Sequence, residues 1–76
     1  MPDVVIEYCV PCGFRDRALS VSRAVLSACE GELDSLTLEM GAHGVFEVRV
    51  DGRTVYDKDE ADFDVDEIAR TVRAEA

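Results

Sequence analysis

The sequence predicts an α/β (α+β) domain with the element order β-α-β-β-β-α, a mixed four-stranded sheet carrying two helices. Three observations predict it. Four short stretches repeat apolar residues at every second position, two longer ones repeat them every three or four, and Asp51-Gly52 sets a tight turn between the last two short stretches. The chain of 76 residues has room for one domain, residues 1–76, and shows no internal repeat, linker or low-complexity segment.

Residues 3–8 alternate Val4, Ile6 and Tyr8 against Val5 and Glu7, a β-rich period of two in which Val5 implies some cover on both faces. From Phe14 the period lengthens. Phe14, Ala18, Val21, Val25 and Cys29 form one stripe, while Asp16, Ser20, Arg23 and Ser27 take the wet side. Glu30-Gly31 ends this helix, with Gly31 expected in a left-handed cap. Leu36, Leu38 and Met40 then alternate with Thr37 and Glu39, residues 41–44 form a loop, and Phe46, Val48 and Val50 oppose Glu47 and Arg49. Asp51-Gly52 predicts a type I′ hairpin into a fourth strand over 53–56. Asp64 is the expected cap of the second helix, with Glu67 three residues on as in a capping box and Phe63 placed to staple against Ile68. The helix between the first two strands permits a right-handed parallel crossover, whereas the hairpin is necessarily antiparallel.

Composition narrows the function. Apolar residues make up 47% of the chain, which suits a small core and not a disordered acidic tail. No apolar run is long enough for a membrane span, and the Met-Pro-Asp-Val-Val start lacks the pattern of a secretory signal, so no membrane association and a cytoplasmic location are expected. The net charge is −9, and seven of the eight bases are arginine, Lys58 being the lone lysine. Such a surface repels phosphate backbones, so no nucleic-acid partner is expected. The acidity fits either a docking face for a basic partner or a high-salt, halophile-like cytoplasm, and the dispersal of the acids along the chain favours the second.

The chemistry-bearing motif is Cys9-Val10-Pro11-Cys12, at the point where the first strand gives way to the first helix. Two cysteines so spaced can close a small disulfide. A thiolate at a helix start faces unsatisfied backbone N–H groups and the positive end of the helix dipole, and the thiolate is the nucleophile in disulfide exchange. Arg15 favours the anion, and Glu7 and Asp16 oppose it. Half a zinc site is the rival reading of the motif, but only Cys29 and His43 remain as ligands. Cys29 lies 17 residues beyond Cys12, about 25 Å along the helix at 1.5 Å per residue, too far to share an ion. His43 could join the pair, but three ligands leave the site open, so no metal is expected, and disulfide exchange needs no cofactor. The acid-rich stretch from Asp57 to Glu67 fails the calcium-loop pattern: counted from Asp62, the sixth and twelfth positions hold Glu67 and Arg73 where glycine and glutamate are needed. Cys29 falls on the apolar stripe and reads as a buried, inert thiol.

Residues 4–12, Val-x-Ile-x-Tyr-Cys-x-x-Cys, followed by Gly-Val-Phe-Glu-Val-x-Val-Asp-Gly at 44–52, resemble the selenoprotein W/T/H-related (Rdx) family of thioredoxin-like proteins. The resemblance spans nearly the whole chain and implies a thioredoxin-like fold with a redox-active pair at Cys9 and Cys12. Selenium occupies the second position of the pair in selenocysteine-containing members, which corresponds to Cys12. Sulfur stands there in this chain, so the reactivity that selenium confers does not carry over. Thioredoxin-type chemistry makes the first cysteine the nucleophile, whereas the selenium position points to Cys12, with Cys9 resolving; the second order is preferred. The proline that thioredoxins set opposite their cysteine pair is absent, and His43-Gly44-Val45 occupies the corresponding segment. Val10, Pro11, His43, Gly44 and Val45 are thus the expected substrate-binding residues, with the backbone of Gly44 and Val45 pairing with an incoming extended peptide. An ordinary solvated loop histidine is the plainer account of His43. The expected function is that of a thiol–disulfide oxidoreductase or redox-responsive protein, acting on a thiol- or disulfide-bearing protein or a small thiol and reset by an external reductant. The alternative is a non-enzymatic interaction module switched by its disulfide.

Overall fold

A computed structural model describes residues 2–76. Strand β1 (Asp3–Cys9) leads to helix α1 (Arg15–Cys29), a 3-10 turn (Glu30–Glu32), strands β2 (Ser35–Gly41), β3 (Phe46–Val50) and β4 (Arg53–Asp57), and helix α2 (Val65–Glu75). The sheet order is β2-β1-β3-β4. Because α1 carries the chain back along the sheet, β2 joins β1 in parallel, in unbroken register from Asp3 opposite Ser35 to Cys9 opposite Gly41. β3 pairs antiparallel with the other side of β1, Ile6 facing Val48 and Tyr8 facing Phe46. β3 and β4 pair antiparallel with a register shift between Val48 and Arg49. Asp51 (φ 52°) and Gly52 (φ 83°) make the expected left-handed hairpin turn. This is the thioredoxin-like arrangement, a mixed four-stranded sheet with two helices.

The period-two and period-3.6 stripes meet in one core. Val4, Ile6 and Tyr8 of β1 and Phe46, Val48 and Val50 of β3 face Ala18, Val21 and Val25 of α1 and Ile68, Ala69 and Val72 of α2. Phe46 lies at its centre, with the rings of Phe14, Tyr56 and Phe63 edge-on at 6.1, 6.2 and 5.8 Å. Such edge-to-face pairs add to the area that aromatic rings bury. The opposite parity lines the other face of the sheet. There the Arg49 guanidinium binds Glu7, Glu39 and Glu47, each at 3.1 Å. Its hydrogen bond with Glu7 outweighs the penalty of burial and raises its pKa, so the charge stays in place.

Three local expectations are corrected. Gly31 does not adopt a left-handed cap; the chain tightens from Cys29 into the 3-10 turn, where the Leu33 N–H donates to the Glu30 carbonyl at 3.3 Å. Bonds from i to i+3 satisfy end-of-helix carbonyls without positive φ. The capping box on α2 is half made. Asp64 Oδ1 accepts from the Glu67 N–H at 3.1 Å, but the Glu67 carboxylate turns outward to Arg70 at 2.6 Å. Finally, Met40 keeps the parity of Leu36 and Leu38 yet is 74% exposed, because it ends an edge strand beyond the cover that half-buries the two leucines.

Candidate functional site

Cys9 is the last residue of β1, and Cys12 sits in the turn that follows. The turn is tight: the Gly13 N–H donates to the Val10 carbonyl at 3.1 Å and the Phe14 N–H to the Cys9 carbonyl at 3.4 Å. Gly13 has φ +74°, a conformation that glycine adopts without steric cost. The turn brings the two Cα atoms to 5.4 Å, and Cys9 and Cys12 are joined in a disulfide.

The two sulfur-bearing residues differ sharply in exposure. Cys9 is fully buried and Cys12 is exposed. The strand order supplies the reason. β1 lies between β2 and β3, so residues 42–45, which connect those two strands, must cross the C-terminal end of β1. There the Cys9 N–H donates to the Val45 carbonyl at 2.8 Å, and the Val10 N–H donates to the Gly41 carbonyl at 3.1 Å. Gly41, opposite Cys9, permits this closure: a Cβ at that position would lie 2.8 Å from both Glu7 Oε2 and Val45 Cγ1. Of the two, only Cys12 is therefore reachable from solvent.

The remaining site residues are placed as follows. Val10 is half exposed and Pro11 exposed on the turn between the cysteines. His43 (φ 62°) and Gly44 (φ 77°) form a left-handed pair closed by the Val45 N–H donating to the Ala42 carbonyl at 3.4 Å. His43 is exposed, and Gly44 lies beside the Lys58 side chain. Val45 donates its N–H to the Ala42 carbonyl and accepts the Cys9 N–H at its own carbonyl, so the fold uses both backbone groups. α1 begins at Arg15, with Phe14 as its N-cap and no side-chain capping bond, so Cys12 stands ahead of the helix rather than in its first turn. Cys29 is buried with its thiol directed to the Val25 carbonyl at 3.5 Å, and burial first, then the Glu32 charge, push its pKa up. Among the described residues no group of three or more His, Cys, Asp or Glu is arranged to hold a metal ion.

Sequence reasoning did not find the groove beside the pair. Tyr8, Val10, Gly13, Arg15, Asp16 and Met40 line an open depression of about 620 Å³. Val10 and Gly13 flank Cys12 in the chain, while neither cysteine itself lines the depression. A period of two marks Met40 as facing the helices, and nothing local to it says that β2 is an edge.

Residues 3–74 match the Rdx family. The chain is 38% identical over 56 residues to migration and invasion enhancer 1 of Bos taurus and of Mus musculus, a stretch covering 72% of this chain and 46% of each relative. It thus spans about half the length of those relatives. A crystal structure from Bordetella parapertussis superposes with a TM-score of 0.89 at 26% identity, covering 99% of this chain and 98% of that one. A selenoprotein W-related protein from Vibrio cholerae superposes with a TM-score of 0.87 at 20% identity, covering 97% and 95%.

Proposed function

The chain belongs to the Rdx family, and on that premise we propose that it is a thiol–disulfide oxidoreductase in which Cys12 makes the first contact and Cys9 resolves. The observation that carries this reading is the unequal exposure of two joined cysteines, Cys9 buried and Cys12 exposed. Exchange proceeds by in-line attack of a thiolate on a sulfur, so access selects the sulfur. In the reduced protein the Cys12 thiolate attacks one sulfur of a substrate disulfide and expels the other as a thiolate. Cys9, as thiolate, then attacks Cys12 Sγ, closes the internal disulfide and releases the second substrate thiolate. Two electrons pass from the pair to the substrate, and the protons of the two protein thiols end on the two substrate thiols. An external dithiol or reductase reverses the change by attacking Cys12 Sγ and expelling Cys9.

The surroundings support this order. The first turn of α1 carries no side-chain cap, so its N–H groups add to the positive end of the helix near the turn that holds Cys12, which favours an anion there. Val10, Pro11, His43 and Gly44 flank the substrate on this reading, with Val45 beneath them as support. A redox titration with glutathione, read by alkylation and mass, checks the couple. The wild type is expected to form an internal Cys9–Cys12 disulfide, Cys12→Ser to lose reduction of a low-molecular-weight disulfide, and Cys9→Ser to accumulate a mixed disulfide on Cys12. Faster alkylation of Cys9 than of Cys12 in the reduced protein overturns the order. Retention of disulfide reduction by Cys12→Ser overturns the mechanism.

A further inference from the structure

The two free edges of the sheet are built differently. β4 has five residues, borders the register shift at Val48/Arg49, and has Arg53 engaged by Glu75 of α2. Short length, bulges and charge are the means by which proteins protect an edge from pairing with another chain. β2 is longer, carries no bulge, and has Glu39 as its one charge, held by Arg49. Its seven residues, Ser-Leu-Thr-Leu-Glu-Met-Gly, hold unbroken register with β1 and include no lysine, arginine or proline. An edge strand of that kind is a template for an added strand.

The β2 edge also leads to the reactive pair. Met40, near its C-terminal end, is 74% exposed and shares the depression with Val10 and Tyr8, and Gly41 lies opposite Cys9. A strand added outside β2 lies two strand spacings, about 10 Å, from β1, which about three extended residues beyond the paired stretch can cover. The charge around this track is acidic on balance: Asp34 precedes β2, Glu39 lies within it and Asp16 lines the depression, against Arg15 and the Arg49 that Glu39 shares with Glu7 and Glu47, in a chain of net charge −9. The acidity that composition left open between a solvated surface and a basic partner thus has a specific place to act.

We propose that the β2 edge and the depression at its end dock an extended, lysine- or arginine-flanked segment of a partner protein, presenting that segment's oxidised cysteine to Cys12. The proposal rests on the exchange reading and names the substrate class of the same site. The added strand pairs by backbone with β2, an apolar side chain beyond it enters the depression against Met40 and Val10, and the cysteine that follows reaches Cys12. Electrons and protons pass as in the exchange step above.

The test compares three disulfides under an external dithiol: hydroxyethyl disulfide, the homodimeric disulfide of Lys-Val-Lys-Val-Lys-Val-Cys-Gly, and the same peptide with glutamate for lysine. The lysine peptide is expected to be reduced about tenfold more efficiently than the glutamate peptide, by charge complementarity. Thr37→Lys, at an exposed position of β2 away from the pair, supplies the missing edge guard; it is expected to remove most of that advantage and leave hydroxyethyl disulfide reduction unchanged, with Thr37→Val restoring the wild-type preference. Titrating the wild type with the lysine peptide carrying serine for cysteine, followed by amide NMR, is expected to perturb and protect β2 amides. Equal rates for the two peptides, perturbations at β4 or 43–44 in place of β2, or sedimentation showing that β2 is covered by a second copy of this chain overturns the proposal. If the exchange reading alone fails, hydroxyethyl disulfide is not reduced while the serine peptide still binds β2.

Discussion

The two helices begin in opposite ways. α2 starts as local rules prescribe: Asp64 accepts a hydrogen bond from the Glu67 N–H, and Asp66 and Glu67 place negative charge in the first turn. α1 starts at Phe14, which offers no capping oxygen, directly after the turn that carries the disulfide. Its start is fixed from behind. The Phe14 ring packs on Phe46, and the Arg17 guanidinium lies 5.0 Å from the centroids of both Phe14 and Phe63. Arg17 thereby ties the beginning of α1 to the residue that precedes the cap of α2. Local capping holds the helix remote from the chemistry, whereas tertiary packing holds the helix beside it and leaves the donors of its first turn uncapped.

This contrast is sharpened first at Phe14. Phe14→Ala is expected to cost about 2–3 kcal/mol in chemical denaturation, below the roughly 3–5 kcal/mol of a fully buried phenylalanine because this ring is only half buried. It is also expected to change the alkylation rate of Cys12, since the turn loses its anchor. Asp64→Ala is expected to cost about 1 kcal/mol, the usual worth of a cap, and to leave Cys12 alkylation unaltered. A larger loss from Asp64→Ala than from Phe14→Ala would break the comparison.

A smaller effect follows from two buried groups away from the disulfide, Cys29 and Tyr56. Burial raises the Cys29 thiol above its ordinary 9.0 and, as the leading cause, the Tyr56 phenol above 10.0. The phenol also donates to the Ala61 carbonyl at 3.2 Å, a bond made by its protonated form. The native state therefore keeps these protons at pH values where the unfolded chain releases them. The stability they contribute is fully present below the unfolded values and is lost as pH rises through the folded ones. Denaturation midpoints are expected to be insensitive to these groups at neutral pH and to fall from about pH 9 upward, with Cys29→Ala flattening the first part of the decline.

The element order was legible because its signals are local. Alternation of Val4, Ile6 and Tyr8, the helical spacing of Ala18, Val21 and Val25, the Asp51-Gly52 turn and the Asp64 cap each depend on a few neighbouring residues, and each element formed. Cys9 and Cys12 were legible as a pair for the same reason, since three residues of separation fix how near their backbones come. Met40, the unguarded β2 edge and the Arg49 cluster were not, because each depends on which strand lies beside which. A sequence period gives the face of a residue and is silent on whether its strand is central or at an edge.

The sequence by itself determined the β-α-β-β-β-α order, the acidic surface and a cysteine pair at the first strand-to-helix turn. The tertiary structure decided which sulfur meets solvent. β1 lies between β2 and β3, so the 42–45 connection passes over its end, its backbone takes the Cys9 N–H, and Gly41 lets Glu7 and Val45 close in beside it. Cys9 is buried by chain that follows it by more than thirty residues, and no pattern within the C-x-x-C motif carries that information.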